Sequence, residues 1–397
     1  MTIVLKSIKQ SYFPTKEVID LMETFRSMVN WCIRKGLETG ATSMKRLCSL
    51  SYKDLGTVHS SVPAFYRLTA ISRAAGILAA RKKSLRRGVK TRDPHLTRSV
   101  LISCYNFKIE KGSLIFPISK GKRINICLSR HTLDAITDLE VRSFVITPTS
   151  VTLSVRKNVE SYVPKSFVGV DRNASNVTFG NEENVLKFNL CKVEKIARRT
   201  RDIVGSFKRN DVRIRKSIAS KYGMRRKERV NQILHIVSKN IVEEAKLDQS
   251  AIVFEDIKDI RNLYKRGNYQ GPKFRGRMNS VPWYEIQRQI RYKAAWEGVP
   301  VVQLTKGETR GTSKLCPVCG ERLQEDRIKK RQLWCGKCKK WEDRDGVAVM
   351  NISRRGWLRF RQSKGEASDA MVQEPRKEGV ILQVDASKLS SRLQPKT

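Results

Sequence analysis

Between Cys316 and Cys338 the chain reads CPVCGERLQEDRIKKRQLWCGKC, two Cys-x2-Cys pairs separated by fifteen residues. No other stretch so narrows what this chain can fold into. Two residues between thiols let one tight turn, helped by Gly320 or Gly336, aim both sulfurs at one ion, and two such turns close a tetrahedron. A segment this short cannot bury a core, so a metal would supply its folding energy. The four histidines, His59, His95, His131 and His235, all lie far away. The expected site is therefore all-cysteine, closed and structural, with zinc as the ion. Redox chemistry of the Cys-x-x-Cys type is the rival, but it needs no second pair at this spacing. Lys329, Lys330, Arg331, Lys337, Lys339 and Lys340 crowd the segment, as in a finger that faces nucleic acid.

Cys32, Cys48, Cys104, Cys127 and Cys191 are scattered singly and read as small core hydrophobes. An odd total of nine cysteines without a regular framework argues against a disulfide scaffold and for a reducing compartment. Charge supplies the partner class, with 80 Lys and Arg against 38 Asp and Glu, a net of +42. A polyanion relieves such self-repulsion, and a phosphate backbone binds through counterion release. Basic residues run along nearly the whole length rather than one amphipathic helix, which disfavours an anionic membrane as partner. A 40% hydrophobic composition belongs to a folded chain, whose length suits roughly two to three domains. No apolar run is long enough to span a bilayer, and MTIVLKSIKQSYFP has no apolar signal core. A soluble, cytoplasmic protein is expected, nucleoid-associated when on its target.

IVLKSIKQ alternates as a strand, and after Pro14 a three- and four-residue spacing of Val18, Leu21, Met22, Phe25, Val29, Cys32 and Ile33 predicts an amphipathic helix. A second helix places Leu68, Ile71, Ala75 and Leu78 on one face and ends in the cations Arg81, Lys82, Lys83, Arg86 and Arg87. From about 99 to 157 the period becomes two, which predicts a small β-barrel or sandwich, with the N-terminal strand as a candidate first strand. Strands around KSFVGVD and AIVFE, long basic helices over roughly 191–248 and a Gly/Arg loop at 261–277, read as a lid, follow. The final 40 or so residues lack periodicity and read as a disordered tail.

Two buried strands end on acids, Asp171 after FVGV and Glu255 after AIVF, and Asp345 opens the helix behind the cysteines. A carboxylate at the end of a buried strand is costly unless it is paired or holds a cation. Three that converge would hold magnesium through oxygen ligands, and a pair of such ions can drive phosphodiester hydrolysis. Each acid alone also reads as an ordinary loop residue, and Glu342, Asp343 and Asp256 are neighbouring competitors.

GVDRNASNVTFG, IVFEDI, YKAAWEG, TSKLCPVCG, CGKC and DRDGVAVMNI together resemble the transposon-encoded TnpB nucleases and the miniature type V CRISPR effectors that share their core. The resemblance covers most of the chain, and its order of acid, acid, zinc ribbon, acid, helix is specific. It implies α/β and α+β domains: an RNase H-like (RuvC) nuclease core with an inserted four-cysteine zinc ribbon, and an N-terminal β-barrel wedge with an inserted helical recognition domain. In this sequence the wedge would take 1–14 and 96–160, the recognition domain 15–95, the nuclease core 161–305 and 343–357, the ribbon 306–342, and a tail 358–397.

By motif match Asp171, Glu255 and Asp345 become the catalytic acids, binding two Mg2+ ions, and Cys316, Cys319, Cys335 and Cys338 the Zn2+ ligands. The implied activity is RNA-guided DNA cleavage by a monomer carrying one guide RNA derived from a transposon end, on a double-stranded DNA target and without a membrane. Arg81, Lys82, Arg86, Arg87, Arg213, Arg215, Arg225, Arg226, Lys339 and Lys340 are the candidate nucleic-acid contacts. Trp31, Phe65, Tyr66 and Tyr105 are candidate base stackers, though each also reads as a core aromatic. The family's Asn-Ala-Ala after the third acid is replaced by Val347, Ala348 and Val349, while Asn351 is kept. A CRISPR effector, an end-joining transposase and a catalytically silent zinc-containing regulator are the alternative readings.

Overall fold

The three- and four-residue spacing near the N-terminus and the alternation beyond it come together in one compact unit, Ile3–Asn158. The computed structural model describes residues 2–207, 211–326, 328–329, 331–363 and 380–385. Strand β1 (Thr2–Ser11) precedes helices α1 (Lys16–Thr39), α2 (Met44–Val58) and α3 (Ala64–Arg86). Then come β2 (Leu101–Ser103), β3 (Lys108–Glu110), β4 (Ser113–Ser119), β5 (Lys122–Cys127), α4 (Arg130–Ile136), β6 (Glu140–Thr147) and β7 (Ser150–Val159). The whole foreseen stripe of α1, from Val18 to Ile33, is buried, as are Ile71, Ala75 and Leu78 of α3. The strands form two sheets, β1-β7-β6-β2 and β3-β4-β5, so the N-terminal strand does join the later ones across the helical insertion. Tyr66 Oη donates to the Pro117 carbonyl at 2.8 Å and ties α3 to the smaller sheet.

The second unit begins at Val159. It contains β8 (Ser166–Arg172), β9 (Asn176–Gly180), β10 (Asn184–Asn189), α5 (Cys191–Ser206), α6 (Val212–Leu247), β11 (Ser250–Phe254), α7 (Pro272–Asn279), α8 (Trp283–Glu297) and β12 (Val301–Gln303). It continues with β13 (Gln324–Glu325), β14 (Gln332–Cys335), β15 (Lys340–Asp343), α9 (Arg344–Ser363) and β16 (Val380–Asp385). Its main sheet runs β12-β11-β8-β9-β10-β16. The pairs β8–β9 and β9–β10 are antiparallel, while β11 runs parallel to β8 and β12 parallel to β11.

Both faces of this sheet are covered, which is why AIVF is uninterruptedly apolar. Ile233, Val237 and Ile241 of α6 and Ile286 and Ile290 of α8 pack with Val168, Val170, Ile252 and Phe254 on one face. On the other, Phe167, Ala251 and Val253 meet Ile352, Trp357 and Phe360 of α9. Two glycines permit that approach: a Cβ on Gly169 would be driven into the Val349 carbonyl and lie 3.0 Å from Ile352 Cβ, and one on Gly356 would meet Val253. Helix α9 therefore rests almost on the backbone of β8, and its first turn is fixed relative to the end of that strand.

Several expectations need correction. Of the five scattered cysteines only Cys32 is buried; Cys48 is half-buried and Cys104, Cys127 and Cys191 are exposed, because single residues carry no periodicity that would reveal a face. The 261–277 segment is not a structureless loop: it holds a 3-10 turn at Ile260–Tyr264 and the start of α7, with Tyr264 buried. The supposed tail is structured where described, since α9 continues to Ser363 and β16 adds to the sheet parallel to β10. A strand recruited by a distant edge needs no local amphipathic pattern. The remainder of that tail lies outside the described residues.

Candidate metal centres and their surroundings

Short-range geometry builds the cysteine cage. Cys316 and Cys319 lie on a turn closed by Gly320 in the left-handed region (φ 74°); Cys335 ends β14, and Cys338 lies in the turn into β15. All four Sγ atoms fall within 4.8 Å of one another, with Cys319–Cys335 at 3.4 Å and Cys316–Cys338 at 3.9 Å. A tetrahedron with ~2.3 Å metal–sulfur bonds has edges of about 3.8 Å, so this set fits zinc and could hold it. Behind the sulfurs, Leu323, Leu333 and Val347 form a small core with Cys316 and Cys335. Val347 is fully buried there, which accounts for an apolar residue where the sequence comparison expects asparagine: it seals the ribbon onto the first turn of α9. Val349 packs with Val185 and Met350. The retained Asn351 donates to the carbonyls of Thr312 and Leu315, both at 2.8 Å, and so fastens the root of the ribbon to the same helix.

Long-range geometry builds the acidic site. Phe254 pairs with Val170 in the parallel β11–β8 ladder, so the next residues, Glu255 and Asp171, emerge side by side at the strand ends. Asp345, second residue of α9 and 1% exposed, reaches the same place. Asn173 bridges two of the acids, its Nδ2 donating to Asp171 Oδ2 at 2.7 Å and Asp345 Oδ1 at 3.2 Å; Asn176 Nδ2 donates to Asp345 Oδ2 at 3.3 Å.

The electrostatics record the same convergence. Burial, then the charge of Asp345, pushes the Asp171 carboxyl up to about 6. Burial, then the charge of Asp171, pushes Glu255 up to about 8. Burial also disfavours ionised Asp345, but hydrogen bonds from Lys187 and Arg331 overcome it and hold that carboxyl below its ordinary value. The Lys187 Nζ lies 2.6 Å from Asp345 Oδ2, and the Arg331 guanidinium contacts Oδ1. Among the described residues the cysteines are the set of three or more potential ligands that all fall within 4.8 Å; the carboxylate oxygens are spread wider. Hard oxygen donors that repel one another and attract two side-chain cations suit a divalent ion such as magnesium and could hold it.

The competing acids have other tasks. Asp343 caps α9, its Oδ1 accepting from the N–H groups of Asp345 and Gly346 at 3.0 Å each. Asp256 accepts from the Lys258 N–H at 2.9 Å, and Glu342 sits opposite Leu333 in the ribbon.

Sequence reasoning missed Arg172, Asn173, Asn176, Lys187 and Arg331. Arg172 is 4% exposed; its Nη2 donates to the Glu255 carbonyl at 2.8 Å and its Nη1 to Gln287 Oε1 at 2.5 Å, over the Phe254 ring. It anchors the backbone that carries Glu255. For Asn173 and Asn176 a signal existed, amides within five residues of Asp171; for Lys187 and Arg331 none did.

The basic candidates are distributed. Arg81 pairs with Asp93 at 2.6 Å, while Lys82, Arg86 and Arg87 are exposed at the end of α3. Arg213 and Arg215 are exposed on α6, whose first half buries nothing before Val230. Arg225 lies over Tyr222, and Arg226 donates to the Ser280 carbonyl at 3.0 Å. Lys339 and Lys340 are exposed on the ribbon. Tyr66 is buried and Tyr105 53% exposed; Trp31 and Phe65 are half-buried. Among the described residues no helix is long and apolar enough to cross a membrane.

Known proteins resemble this chain. The family model described as Cas12f1-like, TNB domain matches residues 283–352, from the start of α8 through the ribbon and into α9. A TnpB-like protein of Methanocaldococcus jannaschii is 30% identical over 268 residues, which cover 63% of this chain and 92% of that one. A Streptomyces pristinaespiralis protein that carries the proposed name RNA-guided DNA endonuclease is 28% identical over 199 residues, 48% of this chain and 45% of that one. Two solved structures share the fold: a Cas12f1–sgRNA–target DNA complex (TM-score 0.58, 13% identity, 85% of this chain and 81% of that one) and the mini-RNA-guided endonuclease CRISPR-Cas_phi3 (TM-score 0.55, 11% identity, 95% and 93%).

Proposed function

The chain belongs to the TnpB-like family, and from that premise we propose that it is an RNA-guided DNA endonuclease with Asp171, Glu255 and Asp345 as its catalytic acids. The observation that carries this reading is the convergence at one end of the main sheet, where the β11–β8 ladder sets Glu255 beside Asp171 and Asn173 bridges Asp171 and Asp345. Three antiparallel strands, β8 to β10, followed by the parallel β11 and β12 are the order expected of an RNase H-like core, and this supports assigning 161–305 and 343–357 to a RuvC-type nuclease. Under this reading 306–342 is the ribbon that meets target nucleic acid, and 1–14 with 96–160 is the wedge around a recognition domain at 15–95.

Bound magnesium would activate a water and stabilise the leaving oxygen of the phosphodiester. The chain's own residues prepare the site. The Asn173 and Asn176 amides fix the rotamers of Asp171 and Asp345, Arg172 fixes the Glu255 backbone, and Lys187 and Arg331 supply positive charge beside Asp345. Cys316, Cys319, Cys335 and Cys338 would hold zinc, which would fix the ribbon, and Val347 and Asn351 tie the ribbon to the start of α9. The name of the Streptomyces relative supports DNA cleavage directed by RNA, and the Cas12f1 complex supports guide RNA and target DNA as partners. We assign a guide derived from a transposon end and double-stranded DNA as the target, bound by a monomer in the cytoplasm. The TnpB-like relative at 30% identity supports the transposon setting. Asp171→Ala should abolish cleavage of guide-matched DNA and leave guide-RNA affinity within about threefold. Continued cutting would refute the assignment, and a wild-type protein that binds guide and target without cutting would make it a silent regulator.

A further inference from the structure

The outer face of the ribbon carries an aromatic pair that none of the chemistry above uses. In the β14–β15 hairpin Trp334 stands opposite Trp341, ring centroids 5.2 Å apart. The alternate residues Leu333 and Cys335 turn inward and are 1% and 0% exposed. The strand pleat therefore puts both indoles on the other side, where Trp341 is 52% exposed. A large aromatic left in water beside a second one marks a contact surface, and the charge around it defines the contact. Between 314 and 344 there are ten basic and five acidic residues, and Lys339, two residues before Trp341, is exposed.

We propose that Trp341, backed by Trp334, is a stacking platform for an unpaired nucleotide of the strand entering the carboxylate site. The occupant follows from the chemistry. Every base offers a π-face whatever its sequence, and cations beside a ring suit the phosphates between bases. A duplex keeps its base faces stacked on one another, so the ring selects single strands. Position adds to this. On the same face, Gln332 pairs with Asp343, two residues or ~6.7 Å along β15 from Trp341. Asp343 in turn caps the helix turn that holds Asp345, so a nucleotide on Trp341 lies one short step from the acids. The platform deepens the endonuclease reading and rests on it for the identity of the strand.

The test is fluorescence anisotropy with guide-loaded protein and two non-complementary probes, oligothymidylate and oligouridylate, at several salt concentrations, with zinc measured on every variant. Trp341→Ala should weaken binding roughly tenfold, the order of one lost base–aromatic stack, without changing the salt slope, while Trp341→Phe stays within about threefold. Lys339→Gln should instead reduce the salt slope. A duplex probe should be insensitive to Trp341→Ala. Sensitivity on the thymidylate probe supports the strand that is cut as the occupant, and sensitivity confined to the uridylate probe would place RNA there and overturn the proposal. Wild-type affinity of Trp341→Ala for both probes, or an equal loss on duplex, overturns the platform. Should Trp341→Ala shed zinc, Trp341→Leu decides, since it keeps the apolar cover without a π-face; wild-type binding by that variant also overturns it. The same effects are expected in an Asp171→Ala background, so the platform and the cleavage assignment can fail separately.

Discussion

The cysteine cage and the carboxylate site both meet the first turn of helix α9, the cage at Val347 and the acids at Asp345, and they are built by opposite means. The cage draws its four sulfurs from 316–338, two local turns bring them within 4.8 Å, and an apolar floor of Leu323, Leu333 and Val347 supports them. The carboxylates come from positions 171, 255 and 345, are spread wider, and are held by Arg172, Asn173 and Asn176 just after the first of them and by Lys187 and Arg331 from elsewhere in the chain. Thiolates that share one soft ion can be satisfied by local turns. Under the proposed reading the acids receive a substrate and hard cations at the end of a sheet, and their repulsion is tolerated because the rest of the fold over-determines their position. The cage should therefore stabilise its surroundings, and the acids should strain theirs.

Four substitutions and conditions sharpen that contrast, beginning with the largest. Cys335→Ser should lose stoichiometric zinc, measurable by elemental analysis, and with it a folding contribution that reaches about 10 kcal/mol in small zinc modules; retained zinc would break the distinction. Asn351→Ala leaves the carbonyls of Thr312 and Leu315 without their donor and should cost about 1–3 kcal/mol in denaturant unfolding, with easier zinc loss to a chelator. Glu255→Gln should have the opposite sign in metal-free protein. Removing a charge that burial and Asp171 disfavour should stabilise the fold by on the order of 1 kcal/mol while cleavage disappears. A fall in thermal midpoint would show that this acid is not strained.

The smallest effect is on pH. Glu255 has its folded value raised to about 8 and Asp171 to about 6, both above the unfolded carboxyl range, so the fold favours the protonated forms. Their contribution is fully present below about pH 4 and is lost as pH rises toward 8. Metal-free protein should then show a declining midpoint across that window, magnesium should flatten the decline, and magnesium uptake should release protons near neutrality. The Glu255→Gln variant should lose the upper part of the slope.

Much of this was legible in the residues. Spacing alone marked the cage, because ligand separation within one turn is a local property. The α1 stripe and the AIVF strand were legible too, since periodicity and its absence follow from how many faces are covered. The three acids were nameable from their places at strand ends and from resemblance, but not their coupling. Val347 read as a departure from a motif until its contact with Cys316 and Cys335 gave it a task. Strand β16 and the exposed faces of Cys104, Cys127 and Cys191 carried no local signal at all.

By itself, then, the order of residues marked the α1 stripe, the AIVF strand, the cysteine spacing and the candidate acids, all of which depend on neighbours within a turn or two, and composition showed the excess of Lys and Arg, 80 against 38 Asp and Glu. Tertiary structure decided which side chains surround those acids, bringing Lys187 from the middle of β10 and Arg331 from the ribbon to one carboxylate, and how far Trp341 is exposed. Such choices depend on how distant segments pack. A lysine or an arginine fits a solvated surface and a buried carboxylate equally well until the chain has folded around it.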